Sequence, residues 1–517
     1  MTESNHPPFG TLEYWAWKSP DHPALIKNDF VMSYSDWNKA ADRMATALSN
    51  LGFKSGDRLG MRLRIDTPWF IIQRALQKLD ITIVSVNWKL TPEEAQYILK
   101  DSGATALACD DGNVTAWTEM PEIKTLITVN QRADSPGHRF EDLVSQEAIG
   151  SFQTQPRQNS ILYTSGTTGK PKGVPPADLS KIDPQVVARY MKAMASVPPL
   201  PKEHPVVLLT LPLHHGAGPQ AAMAASLRGG TIVLLDPYDP AEVLRLIERH
   251  RVQVWTSVPT MLLRIKALGD EIVRTFDLSS ITALNTGAAP VPKSLKSWVI
   301  NTFGDSVLWE AYGCSEAGML TYISPNEQAK KPESSGRPYP EVELKIIDDD
   351  WNEVPSGVAG EIAAKTPFVL KRYIGKPELG EDTLKDGFYR TGDVGHVDED
   401  GYLFITDRIK DMIVAGGVNI YPAEIESAIC EFPDVAHCAV IGIPHEDFGE
   451  QILAFIVSRS AKTVDTPKLA QFLEGRLAKF KRPHQYELVE ELPLSPVGKV
   501  LKTELREPYW RHAERNI

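Results

Sequence analysis

From about residue 35 to beyond Pro292 the chain repeats one motif: a short apolar run, then a segment with helical periodicity. Residues 58–63, 81–86, 104–109, 206–211, 231–235, 252–255 and 281–286 read as strands. Segments 35–51, 68–79, 220–227, 241–250 and 260–268, and a segment from Pro292, read as helices. The first helix carries Trp37, Ala41, Met44, Leu48 and Leu51 at three- and four-residue steps, and Gly52 stops it. Thr91-Pro92-Glu93-Glu94 opens another with a capping box. Such alternation predicts parallel sheet covered by helices, an α/β fold.

Into this pattern is set Tyr163-Thr164-Ser165-Gly166-Thr167-Thr168-Gly169-Lys170-Pro171-Lys172-Gly173, after the apolar run 160–163. Glycines let backbone N–H groups approach an anion, hydroxyls add short donors, and Lys170 and Lys172 add mobile positive charge. The mixture suits the phosphates of a nucleotide, although a Ser/Thr/Gly surface loop has a similar composition. It is not a Walker A loop: counted from Gly166, the second glycine falls on Pro171, and neither lysine is followed by Ser or Thr.

Other strings carry chemistry of their own. In Glu310-Ala311-Tyr312-Gly313-Cys314-Ser315-Glu316, Tyr312 can stack on a purine, Ser315 can donate to a phosphate, and Glu316 offers hard oxygen to Mg²⁺. In Gly387-Phe388-Tyr389-Arg390-Thr391-Gly392-Asp393, the two carboxylate oxygens of Asp393 match the paired hydroxyls of a ribose. Pro212-Leu213-His214-His215-Gly216-Ala217-Gly218 and Thr286-Gly287-Ala288-Ala289-Pro290 each follow a strand, where small residues suit a ligand crevice or a tight turn.

TSGTTGKPKG closely resembles the signature of the adenylate-forming superfamily, and the other strings match that family in order between residues 163 and 502. The resemblance points to its acyl-CoA synthetase branch. It implies ATP, Mg²⁺ and coenzyme A as reactants, with Thr164 to Lys172 on the phosphates and Glu316 on the metal. Gly287, Ala288 and Ala289 would edge the adenine, and Gly287 would also floor the acyl pocket. Tyr312 and Gly313 would complete the nucleotide site, and Asp393 and Arg408 would hold the ribose. His215 would gate the acyl pocket. Lys410 would be a hinge, Gly416 and Gly417 would line a thiol tunnel, and Lys499, in Leu494-Ser495-Pro496-Val497-Gly498-Lys499, would be the catalytic lysine. Two departures stand out: Ser315 replaces the family's threonine, and Val174-Pro175-Pro176 replaces a Ser/His-containing stretch.

The expected architecture is a large N-terminal domain, residues 1–409, of two wound α/β/α subdomains and a small β-rich subdomain at about 337–407. A mobile α+β domain, 410–517, follows. A chain of 517 residues is too long for one core. Its net charge of −12 argues against a nucleic-acid partner. Cys109, Cys314, Cys430 and Cys438 lack metal or disulfide spacing, which suggests a reducing compartment. No signal pattern opens the chain, and no apolar run approaches the roughly 20 residues of a membrane span. A cytoplasmic enzyme is expected; peripheral membrane contact and oligomeric state stay open.

The expected reaction joins a hydrophobic carboxylic acid (fatty, aromatic or steroid-derived) to CoA through an acyl-adenylate. No Asp lies between Pro212 and Asp236, which disfavours an amino-acid substrate. The end of the chain soon after Lys499 favours a stand-alone ligase. The alternatives are an acyl-AMP ligase loading a carrier protein, a luciferase-like oxygenase and a non-catalytic nucleotide-binding relative. Lys499, Glu316 and Asp393 speak against the last.

Overall fold

The computed structural model describes residues 6–112, 114–132, 134–154, 160–164, 170–289, 291–415, 418–445, 448–459, 464–474, 476–495 and 498–511. Its nine-stranded sheet runs in the order Arg337–Pro338, Gly318–Ile323, Leu308–Cys314, Ala283–Gly287, Val254–Ser257, Val206–Leu209, Thr231–Leu234, Pro23–Lys27, Phe30–Ser33. The six inner strands are parallel and the outer ones antiparallel. A seven-stranded sheet runs His138–Arg139, Thr125–Thr128, Ala106–Cys109, Arg58–Arg62, Thr82–Ser85, Ser160–Thr164, Lys172–Val174, and only the last strand is antiparallel.

The apolar runs are continuous because both faces of these strands are buried. Val207, Leu209, Ile232 and Leu234 face one core, which also takes Leu59, Met61 and Ile83 from the second sheet. Leu208, Val233 and Trp255 face the opposite core. The shared core holds helices Tyr34–Asn50 and Thr67–Lys78, with Trp37 and Phe70 fully packed, so these helices lie between the sheets. Helices Pro240–His250, Pro259–Lys266 and Lys293–Phe303 cover the outer face of the first sheet. Pro92–Ser102 covers the outer face of the second. The two halves thus share one helical layer. The Thr91–Glu94 capping box forms as read.

A third, antiparallel sheet contains Glu343–Ile347, Gly360–Lys365, Phe388–Val397, Leu384–Lys385 and Leu403–Arg408. Arg337–Pro338 pairs with Gly318–Ile323, and the first strand of the β-rich sheet is Glu343–Ile347. A fourth sheet holds Val418–Ile420, Ile413–Ala415, Gly449–Ser458, Val435–His445 and Gln485–Val489. Helices Pro422–Ile429 and Thr466–Glu474 pack on it around Ile425, Ile429, Leu469 and Leu473. Among the described residues no helix is long and apolar enough to cross a membrane.

Candidate active site

Parallel strands place their carboxyl ends on one side of a sheet, where the following loops form a crevice. The neighbouring strands Leu308–Cys314, Ala283–Gly287, Val254–Ser257 and Val206–Leu209 deliver Tyr312, Gly287, the helix start Val258–Thr260 and the His214–His215 turn to that side. Gly287 is required there, because a methyl on its Cα would collide with the carbonyl oxygen of Ala311. Ala288 is exposed and adopts the left-handed φ of 64°, which turns the backbone outward. Ala289 follows it, partly buried.

The glycine-rich segment does not open a helix. Ser160–Thr164 and Lys172–Val174 are antiparallel neighbours, with Thr164 opposite Lys172, so it connects a hairpin. Ser165, Gly166, Thr167, Thr168 and Gly169 lie outside the described residues. At its base, Thr164 Oγ1 donates to Glu316 Oε1 at 3.2 Å, and Tyr373 OH donates to the same oxygen at 3.3 Å. Lys172 Nζ stands 5.2 Å above the Tyr373 ring, and Lys170 Nζ 5.3 Å from the Tyr97 ring. The first string and Glu316, distant in sequence, are thus joined. Ser315 beside Glu316 is exposed.

Asp393 is buried. Tyr312 OH donates to its Oδ2 at 2.6 Å, and Arg408 Nε pairs with its Oδ1 at 3.1 Å, since Asp393 and Arg408 are cross-strand partners. Both oxygens are already engaged, yet each keeps a second lone pair for a ligand hydroxyl. The Tyr312 hydroxyl anchors this carboxylate in addition to any contact its ring makes. Gly313 continues the same strand.

Lys499 arrives from the C-terminal end of the chain. Its N–H donates to Ser495 Oγ at 3.0 Å and its carbonyl accepts from Ser495 N–H at 2.7 Å, closing a small loop. Gly498, at φ 73°, abuts the side chain of Thr260, and any Cβ there would strike it. Burial, reinforced by the Arg408 and Lys410 charges and opposed by Asp393, pulls the Lys499 ammonium down to about 8. Lys410 lies in the turn Ile409–Asp411, and burial lowers its pKa too. Arg506 grips this turn, donating to Lys410 O at 2.7 Å and Asp411 O at 2.8 Å. Gly416 and Gly417 lie outside the described residues.

His215 senses the Lys499 charge; burial first, and that charge second, push it down to about 4. The site therefore gathers Arg408, Lys410 and Lys499 around one carboxylate, a local cationic surplus on an acidic chain. Such a surplus suits a phosphate that gains negative charge. Among the described residues no group of three metal-ligating side chains forms. Mg²⁺ commonly binds through one or two carboxylates plus substrate phosphates, and Glu316, with its hydroxyl neighbours, fits that role.

Sequence reasoning missed Tyr373, Thr260 and Arg506, and gave His214 no role apart from its place beside His215. Tyr373 had no signal beyond an aromatic after Lys371-Arg372, and Thr260 matters only because Gly498 lands on it.

Residues 12–374 match the model of the AMP-binding enzyme family, and residues 424–499 match that of the AMP-binding enzyme C-terminal domain. The chain belongs to the AMP-binding enzyme family. It is 31% identical to the fatty acid–[acyl-carrier-protein] ligase ScoC of Streptomyces coeruleorubidus over 100% of both chains. It is 31% identical to the long-chain-fatty-acid–CoA ligase FadD13 of Mycobacterium tuberculosis over 95% of this chain and 96% of that one. Among solved structures, the anthranilate CoA ligase AuaEII in complex with anthranoyl-AMP superposes with a TM-score of 0.86 at 25% identity, covering 98% of this chain and 97% of that one. As in the sequence reading, this AMP-binding enzyme is α/β with a C-terminal α+β unit.

Proposed function

We propose that this AMP-binding enzyme is an ATP-dependent acid:CoA ligase that works through an acyl-adenylate on a hydrophobic carboxylic acid. The observation that carries the reading is the convergence of Lys499, the Tyr312–Asp393–Arg408 cluster and the Thr164–Glu316 pair around the segment Tyr312–Glu316. A carboxylate is a poor electrophile because its charge repels nucleophiles. Its oxygen attacks the α-phosphorus of ATP, the bond to the β-phosphate oxygen breaks, and pyrophosphate leaves. Lys499 bridges the attacking oxygen and the α-phosphate as charge builds there, while Asp393, held by Tyr312 and Arg408, fixes the ribose. Lys170 and Lys172 balance the departing phosphates. Glu316 would hold Mg²⁺, which when bound shields phosphate charge.

The thiol of CoA then attacks the acyl carbonyl, losing its proton, and AMP departs. For this second step we place a hinge at Lys410, with residues 410–517 turning so that Lys499 withdraws and Gly416 and Gly417 approach the thiol. The two family matches on either side of the Ile409–Asp411 turn, and the grip of Arg506 on it, support that placement.

A second reading, transfer to a carrier protein, is favoured by the full-length similarity to ScoC. Pyrophosphate release across a panel of fatty, aromatic and polycyclic acids tests the first step. Thioester formation with CoA against a phosphopantetheinylated carrier tests the second. Failure to release pyrophosphate with every acid overturns the proposal, and transfer to the carrier alone moves it to the second reading.

A further inference from the structure

We infer that the buried imidazole pair His214–His215 reads an uncharged oxygen substituent on the acid, so that the preferred substrate is a hydrophobic carboxylic acid bearing a hydroxyl or keto group. The inference rests on the acid-activating reading above and narrows it to a substrate class.

His214 is only 7% exposed, yet neither Nδ1 nor Nε2 has a hydrogen-bond partner among the described residues. Nε2 of His215 is likewise without one. The two rings lie 4.5 Å apart, tilted by 52°. A neutral imidazole always carries one N–H donor and one acceptor lone pair. Each buried polar group left unpaired costs about 1–3 kcal/mol. A purely apolar wall would be served at no such cost by leucine or phenylalanine. The pair follows the strand Val206–Leu209 at the sheet edge shared with Gly287 and Tyr312, and His215 lies within reach of the Lys499 charge. His215 therefore borders the reacting end of the site, with the His214 ring beside it.

The charge state selects the ligand chemistry. Burial, followed by the charges of His215, Lys89 and Arg62, drives His214 down to about 2. His215 falls to about 4. Both rings are uncharged near neutral pH, so they offer a donor and an acceptor without net charge. An ammonium would be buried there beside the Lys89, Arg62 and Lys499 charges, at heavy cost, and a second carboxylate, which only accepts, would leave the acceptor nitrogens of the rings unpaired. A hydroxyl, which both donates and accepts, satisfies the rings, and a ketone, which accepts, pairs their donors without adding charge, while the rest of the acid stays apolar.

The test uses the full chain with ATP and Mg²⁺ and matched acids whose oxygen lies near the carboxylate: 3-phenylpropanoic against 3-hydroxy-3-phenylpropanoic, and decanoic against 4-oxodecanoic and 3-hydroxydecanoic. A hydrogen-bonding site penalises the analogue that lacks the partner group, so kcat/KM for pyrophosphate release should favour an oxygenated member of at least one set by about tenfold or more. His214→Phe should lower kcat/KM for the favoured acid about tenfold more than for its plain counterpart, and His214→Gln, which keeps a donor and an acceptor, should restore part of the difference. AMP affinity and the thermal midpoint of each variant report whether it folds. Absence of preference in the unmutated enzyme, or equal loss on both members in a folded variant, overturns the inference and leaves the ligase reading standing. Inactivity with every acid overturns the ligase reading instead. Calorimetric binding of the same acids to the AMP-loaded chain then decides, and equal affinities within each set sink the inference.

Discussion

Replacing Lys499 should separate the two half-reactions. A charge-assisted donor aimed at developing negative charge supplies about 100- to 1,000-fold in rate, so Lys499→Ala should slow acyl-adenylate formation by that factor. Thioester formation from supplied acyl-AMP should stay near the unmutated rate, because in that step the lysine has withdrawn. The pH profile adds an independent check. The ammonium titrates near 8 because burial and the neighbouring Arg408 and Lys410 disfavour its charge. About nine in ten molecules carry the charge at pH 7 and about one in ten at pH 9, so kcat/KM for adenylation falls as pH rises through 8. Bound ATP brings negative charge and moves the corresponding limb of kcat to higher pH. Lys499→Arg keeps a positive charge throughout, so its residual activity should lose that alkaline limb. The assays are pyrophosphate release for the first step and thioester yield from synthetic acyl-AMP for the second. Equal loss of both steps in Lys499→Ala, or an unchanged alkaline limb in Lys499→Arg, would refute the reasoning.

Three further outcomes follow from the same geometry. Tyr312→Phe removes the 2.6 Å bond to Asp393, a bond to a charged group, and should weaken AMP binding by about 1.5–3 kcal/mol, read by calorimetry. Gly498→Ala should depress adenylation with little change in unfolding midpoint, and adding Thr260→Ala should recover part of it by removing the side chain that the new methyl meets. Lys296→Met leaves Glu310 buried without its partner at 2.6 Å and should destabilise the N-terminal part by about 3–5 kcal/mol in denaturant unfolding.

Much of the fold was legible because burial on both faces leaves a continuous apolar run, and a run such as 206–211 has few other uses. The site strings were legible because they are contiguous: hydroxyls and lysines of the hairpin loop, Tyr312 with Glu316, and Asp393 after Gly392. Pairings between them were not. Nothing near Thr164 announces that its hydroxyl meets Glu316, and Tyr373 gained its role from packing beside Lys172 and Glu316.

By itself, then, the order of residues determined which segments become strands or helices, and which short strings carry phosphate, ribose and lysine chemistry. Those properties depend on near neighbours along the chain. Tertiary structure alone decided that both Asp393 oxygens are engaged, that Gly498 abuts Thr260, and that three cations share one carboxylate. It also left the His214 ring buried without a hydrogen-bond partner among the described residues. These facts depend on distance and dielectric between segments remote in sequence, and only the folded chain sets them.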